Sequence, residues 1–131
     1  MARVAGFATA LAVLVVLVAG CGIGPDTDEG KISHAADTYL RSLAKGDVRT
    51  ACKQLTVEAK ASLDGACRPA LRKIAARVGA DRLDAAADGG VDIEVNRARA
   101  SAVVRELDAG LMLVRTGKRW RIDSGYRLDG R

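Results

Sequence analysis

Three hydrophobic patterns follow one another along the chain. From Val4 to Gly20 every residue is apolar or small except Thr9, so the run has no polar face. From Ile32 to Lys45 the residues Ile32, Ala35, Ala36, Tyr39, Leu40 and Leu43 recur every three or four positions, which makes the stripe of an amphipathic helix. Ser33, Asp37, Arg41 and Lys45 take the other face. Asp37–Arg41 is an attractive i,i+4 pair there and Arg41–Lys45 a repulsive one. Gly46 suits the left-handed stop of this helix, and Asp47 suits the N-cap of a second helix running to Leu55. Thr56 is placed to cap a short third helix, Val57 to Leu63, and Asp64-Gly65 reads as a turn. Pro69 fits the first turn of a fourth helix, about Arg68 to Val78, with Leu71, Ile74, Ala75 and Val78 facing inward.

Near residue 82 the period drops to two. A weak first strand is expected at Arg82–Ala87. Val91, Ile93 and Val95 then alternate with Asp92 and Glu94, a half-buried strand. Ala100, Ala102 and Val104 alternate on the next strand after a turn at Asn96-Arg97. Leu111 to Arg115 follows Asp108-Ala109-Gly110, and Arg119 to Ser124 returns after Thr116-Gly117-Lys118, with Trp120 and Ile122 inward. Helices first and an antiparallel meander second predict an α+β domain over residues 32–131: short N-terminal helices packed on a curved antiparallel sheet. Residues 22–31, rich in glycine and acids, read as a tether.

With 131 residues and 13.7 kDa the chain has room for one small domain. Hydrophobic residues make up 49%, but the leading run holds many of them and leaves the remainder a thin core. Long coiled coils, multi-domain enzymes and polytopic membrane proteins are excluded. Arg3 is the one charge ahead of Cys21, so the remainder keeps all 16 acids and stays net basic.

Arg3, the apolar stretch and the small residues Ala19-Gly20 have the three-part layout of a secretory signal over residues 1–20. The stretch is short for a membrane span, which needs roughly 20 apolar residues. Leu17-Val18-Ala19-Gly20-Cys21 resembles the lipobox of bacterial lipoproteins. The resemblance implies cleavage before Cys21 and lipidation of its thiol, with residues 21–31 forming a lipidated tether. The domain would then be anchored at the outer face of the cell membrane. Two or three acyl chains, at about 0.8 kcal/mol per buried methylene, hold a protein there stably. An uncleaved anchor or a plain secretory signal, with Cys21 incidental, would also export the rest. The glycines around Cys21 do not make a nucleotide loop, since no strand precedes them and no helix follows.

Cys21 accounts for one of the three cysteines. Cys52 and Cys67, fifteen positions apart, are most simply read as a disulfide in an oxidising compartment. Two free thiols or a metal pair are the alternatives, and a metal would need two more ligands in a chain with one histidine.

Ala36-Asp37-Thr38-Tyr39-Leu40, Ala44-Lys45-Gly46-Asp47, Ala51-Cys52, Leu55-Thr56, Cys67 and the closing Lys118-Arg119-Trp120-Arg121-Ile122 together resemble small exported proteins of the nuclear-transport-factor-2-like superfamily. These are common as lipoproteins in high-GC actinobacteria, and 24 Ala with 15 Arg against 6 Lys fit that coding bias. The resemblance covers about residues 32–124. It implies a cone of helices on a strongly curved sheet, often with an open pocket, in a superfamily of enzymes, binding proteins and structural modules.

Enzymes of that superfamily typically place an Asp, or a His–Asp pair, inside the cone as a base. Here His34 and Asp37 are one helical turn apart, but both fall where the stripe turns to solvent. Asp92, Glu94 and Asp123 alternate with inward residues and point outward. Cys52 or Cys67 as a nucleophile would need a base, and pairing of the two sulfurs silences both. Tyr39, Val104 and Trp120 are the expected lining of any pocket, with Tyr126 at its mouth, although Trp120 also suits a core plug. Arg68, Arg72, Lys73 and Arg77 on the fourth helix, with Arg119 and Arg121 on the last strand, form a candidate basic surface for an envelope protein, anionic lipid or acidic wall polymer. Nucleic acid is disfavoured by compartment and by scattered aromatics. No cofactor and no metal are expected. The reading is a non-catalytic binding domain, with a carrier of small apolar ligands and an isomerase or dehydratase as alternatives.

Overall fold

The computed structural model describes residues 27–129. The expected signal, Cys21 and the first part of the tether lie outside them. Helices α1 (Asp28–Ala44), α2 (Val48–Lys53), α3 (Val57–Ala61), α4 (Cys67–Val78) and α5 (Ala80–Gly89) precede strands β1 (Val91–Asn96), β2 (Arg99–Val104), β3 (Ala109–Thr116) and β4 (Arg119–Ser124). The strands form one antiparallel meander in the order β1-β2-β3-β4. The fold is α+β, with the helices packed against the sheet.

α1 starts four residues before the expected position and takes up the end of the expected tether. The Gly30 N–H donates to the Thr27 side chain at 3.0 Å, and Asp28 and Glu29 fill the first turn. A cap and acids at the positive end of the helix dipole explain the early start. Its expected stripe is fully buried: Ile32, Ala36 and Tyr39 have no exposure. Asp47 and Thr56 cap α2 and α3 as the sequence predicts, accepting from the Thr50 and Ala59 N–H groups. Gly46 has φ +74°, a conformation that glycine adopts without strain.

Arg82–Ala87 is helix, not strand, because it lies inside α5. Leu83 and Ala86 are buried one turn apart, and Ala85-Ala86-Ala87 is a strong helix-forming run. Gly79, at φ +94°, stops α4 and redirects the chain into α5.

The inner face of the sheet carries Ala102 and Val104 from β2, Leu111 and Leu113 from β3, and Trp120 and Ile122 from β4. Ala102 pairs with Leu111 and Leu113 with Ile122, with an irregularity between Met112 and Leu113. α1 crosses this face, touching β1, β2 and β4. β4 is an edge strand that gains a backbone partner from the helical layer. The Ile122 N–H donates to the Gln54 carbonyl at 2.7 Å, and the Thr56 N–H donates to the Ile122 carbonyl at 2.9 Å. Leu55 thereby forms a parallel bridge to Ile122.

Cys52 and Cys67 are joined as a disulfide, with their Cα atoms 6.1 Å apart, inside the usual range. The crosslink ties α2 to α4 and is consistent with an extracytoplasmic compartment. Among the described residues no helix is long and apolar enough to cross a membrane.

Beyond β4 the chain turns at Gly125 and buries Tyr126 and Leu128. The Tyr39 hydroxyl donates to the Tyr126 carbonyl at 2.5 Å, the Tyr126 hydroxyl shares a hydrogen bond of 2.7 Å with Ser62, and Arg77 donates to the Arg127 carbonyl. This closing segment therefore straps α1, the α3 exit and α4 together.

Candidate functional site

The first turn of α1 is pinned to the last strand by one acid. Asp28 accepts from the Trp120 indole N–H at 3.1 Å and faces Arg115 at 3.9 Å. That contact sets Lys31 and His34, on the next turns of α1, beside β4. Between them opens a cleft of about 560 Å³, walled by Lys31 and His34 on one side and by Lys118, Arg119, Trp120 and Arg121 on the other, with Gln54 at one end. Arg119 and Arg121 share one face of β4 and Trp120 the other, as strand alternation demands. All three reach the cleft because it sits at the strand's edge. Its lining carries no carboxylate among the described residues.

Arg121 also donates to the Lys53 carbonyl. This joins the cleft to a second one, of about 480 Å³, bordered by the disulfide and by Arg49, Lys53, Lys60 and Arg68. The two clefts form a basic band around the β4 side of the molecule.

The expected basic surface is thus divided. Arg119 and Arg121 lie in the first cleft and Arg68 in the second. Lys73 and Arg77 border a third groove together with Arg127 and the acids Asp64 and Asp129, which offset their charge. Arg72 is exposed on α4. Arg68 and Lys73, five residues apart on α4, point about 140° apart around the helix, so a run of charges in sequence does not become one face. Lys31 was hidden in the expected tether; the Thr27-Asp28-Glu29 start signal is what would have placed it on a helix. Arg49, Lys53 and Lys60 carry no sequence signal linking them to Arg68, because the disulfide and the turns between short helices bring them together.

The expected pocket of Tyr39, Val104 and Trp120 is not open. Tyr39 and Val104 have no exposure and line none of the clefts described here. Tall side chains fill the space between α1 and the sheet, and the Tyr39 and Tyr126 hydroxyls bond to protein rather than standing at a mouth. Burial pushes the Tyr39 phenol far above its ordinary range, with the neighbouring Tyr126 adding to the effect. Trp120 is 3% exposed and serves as core plug and cleft wall together.

His34 is exposed and stands between the basic cleft and another of about 410 Å³ that includes Asp37. Asp37 accepts from Arg41 at 2.9 Å, and Arg41 reaches Asp88 as well, also at 2.9 Å. The acid one turn from His34 is therefore engaged by a guanidinium. The shifted carboxyls lie elsewhere. Hydrogen bonds from Thr50 hold Asp47 below its usual range, and those from Arg105 do the same for Asp92. Both are structural contacts, a cap and an ion pair. Among the described residues no three His, Cys, Asp or Glu side chains gather to hold a metal ion. The arrangement supplies directed positive charge and hydrogen-bond donors beside one aromatic wall.

Comparison with protein-family models, with curated proteins and with solved structures gives no match.

Proposed function

We propose that this chain is an exported lipoprotein, anchored through Cys21 at the outer face of the cell membrane, whose domain works by binding an envelope component at its surface rather than by catalysis. We also place the domain in the nuclear-transport-factor-2-like superfamily, a reading supported by helices that precede a four-stranded antiparallel meander. The filled interior carries the functional reading. Tyr39, Val104, Leu111 and Leu113 are fully buried, so the space between helices and sheet is occupied by side chains. The chemistry at the surface is a basic cleft, which binds anionic groups by charge complementarity. The disulfide supports the extracytoplasmic location.

Metabolic labelling with a clickable fatty acid tests the anchor. The wild-type chain labels and Cys21→Ala does not. Labelling that survives Cys21→Ala, or a wild-type chain that takes up no lipid, overturns the reading.

A further inference from the structure

We propose that the cleft between α1 and β4 seats the phosphate of anionic phospholipid headgroups in the membrane that holds the chain, an inference that rests on the anchored reading above.

The cleft collects cations from separate elements. Lys31 comes from α1, Lys118 from the β3–β4 turn, and Arg119 and Arg121 from β4. His34 and Gln54 add polar groups from two further directions. Backbone groups alternate along a strand, so Trp120, two residues before Ile122, turns its N–H to the edge where Ile122 meets Gln54. That edge opens into the cleft once the pairing with Leu55 ends. Guanidinium forks and ammonium groups match phosphate oxygens, and the buried Trp120 ring backs the cleft they line. Of the two acids on the adjacent first turn, Asp28 is engaged by Trp120 and Arg115, which leaves Glu29 against four cations.

Position favours a membrane over a soluble polymer. The cleft is built on the first turns of α1, the end where the tether enters. Cys21 stands six residues before Thr27, a distance of at most about 20 Å at full extension. Confinement at that range raises the effective concentration of headgroups at the cleft far above that of any diffusing anion. The attraction is screened over about 8 Å at physiological salt, so contact is close or absent.

Trp120 is the only tryptophan in the chain, so its fluorescence reports on this cleft alone. The full lipidated chain is reconstituted into phosphatidylcholine vesicles with or without phosphatidylglycerol, each containing a phosphatidylcholine brominated near the headgroup as quencher. Quenching of Trp120 is expected with phosphatidylglycerol and not without it, and high salt should reverse it. A basic residue at an anionic surface is worth about fivefold in binding. Lys118→Gln with Arg119→Gln should therefore lower the docked-to-undocked ratio about twenty-five-fold, while Arg72→Gln on α4 leaves it unchanged. Circular dichroism of both variants confirms the fold. Quenching that is equal in both vesicle types, or insensitive to the paired substitution, overturns the proposal. So does a Trp120 response to inorganic phosphate or to soluble polyglutamate that anionic vesicles do not reproduce, since it would assign the cleft to a free anion or an acidic polymer. Absent fatty-acid labelling removes the anchor and the proposed function with it. Lost anion dependence in a chain that still labels removes only the headgroup seat.

Discussion

β1 and β4 are both edge strands of one sheet, yet they are protected in different ways. β4 receives backbone hydrogen bonds from the 54–56 segment, and the loop that carries this segment is closed by the Cys52–Cys67 disulfide. No described strand pairs with the outer edge of β1, which instead presents Asp92 and Glu94 on its solvent side. Charged edges discourage pairing with another chain. The charge differs as well. The β4 side gathers the basic clefts, whereas the β1 side holds acids in ion pairs, Asp92 with Arg105 and Asp88 with Arg41. A small domain thus spends its covalent crosslink and its backbone pairing on the side that carries the candidate site, and leaves the other side to solvated charges. Rigidity under the clefts keeps their cations in register.

The largest expected effect is at the turn after β4. A Cβ on Gly125 would lie 1.9 Å from the Gly110 carbonyl oxygen, at φ +80°. Backbone faces backbone there, so neither side can move aside cheaply. Gly125→Ala should cost about 3–4 kcal/mol in chemical denaturation. Gly117→Ala, at φ +64° with open space around it, should cost only about 1 kcal/mol. Equal costs would show that conformation and not close approach governs Gly125.

Replacing both Cys52 and Cys67 by serine should cost about 3 kcal/mol, the value for a crosslinked loop of this length. α2 and α3 are too short to persist without tertiary support. Hydrogen exchange should therefore rise first at the Thr56 and Ile122 amides, while β1 and β2 keep their protection. Uniform loss of protection would deny that the crosslink braces one edge in particular.

Thr56→Val should cost about 1–2 kcal/mol. Thr56 is 3% exposed, caps Ala59 at 3.0 Å and donates to Asp123 at 2.9 Å. Valine keeps the shape and removes both bonds. Thermal melts of this variant measure what the cap adds to the closed edge.

The smallest effect belongs to the open edge. Arg105 holds the Asp92 carboxyl below its ordinary range. The folded-state value is depressed, so any stabilisation is present above the ordinary carboxylate range and is lost as pH falls through the depressed value. Both partners are exposed, and solvent screens the pair. Asp92→Asn should leave the melting midpoint at neutral pH unchanged within repeat scatter and flatten its decline in acid. A drop approaching that of Thr56→Val would show that the open edge too depends on specific contacts.

Much of the fold is legible in short-range pattern. The α1 stripe, the Asp47 and Thr56 caps, the Gly46 stop and all four strands follow from periodicity and local turn chemistry, because those signals act within a few residues. Arg82–Ala87 misled, since a short apolar and alanine-rich stretch suits either period until the adjacent Gly79 break fixes helix. The candidate site was only half legible. Arg119, Trp120 and Arg121 stand together in sequence, but Lys31 reaches them only once Asp28 bonds to the Trp120 indole across the fold.

Sequence alone determined most of the secondary elements and the cysteine pair available for crosslinking, and it carries the lipobox resemblance of residues 17–21. Each of these is written in neighbouring residues or in residue identity. Tertiary structure decided that Tyr39 and Val104 fill the interior instead of lining a pocket, and that the basic residues of α1 and β4 converge on one cleft. Those outcomes depend on which faces meet when α1 crosses the sheet, and packing between distant segments leaves no local trace in the chain.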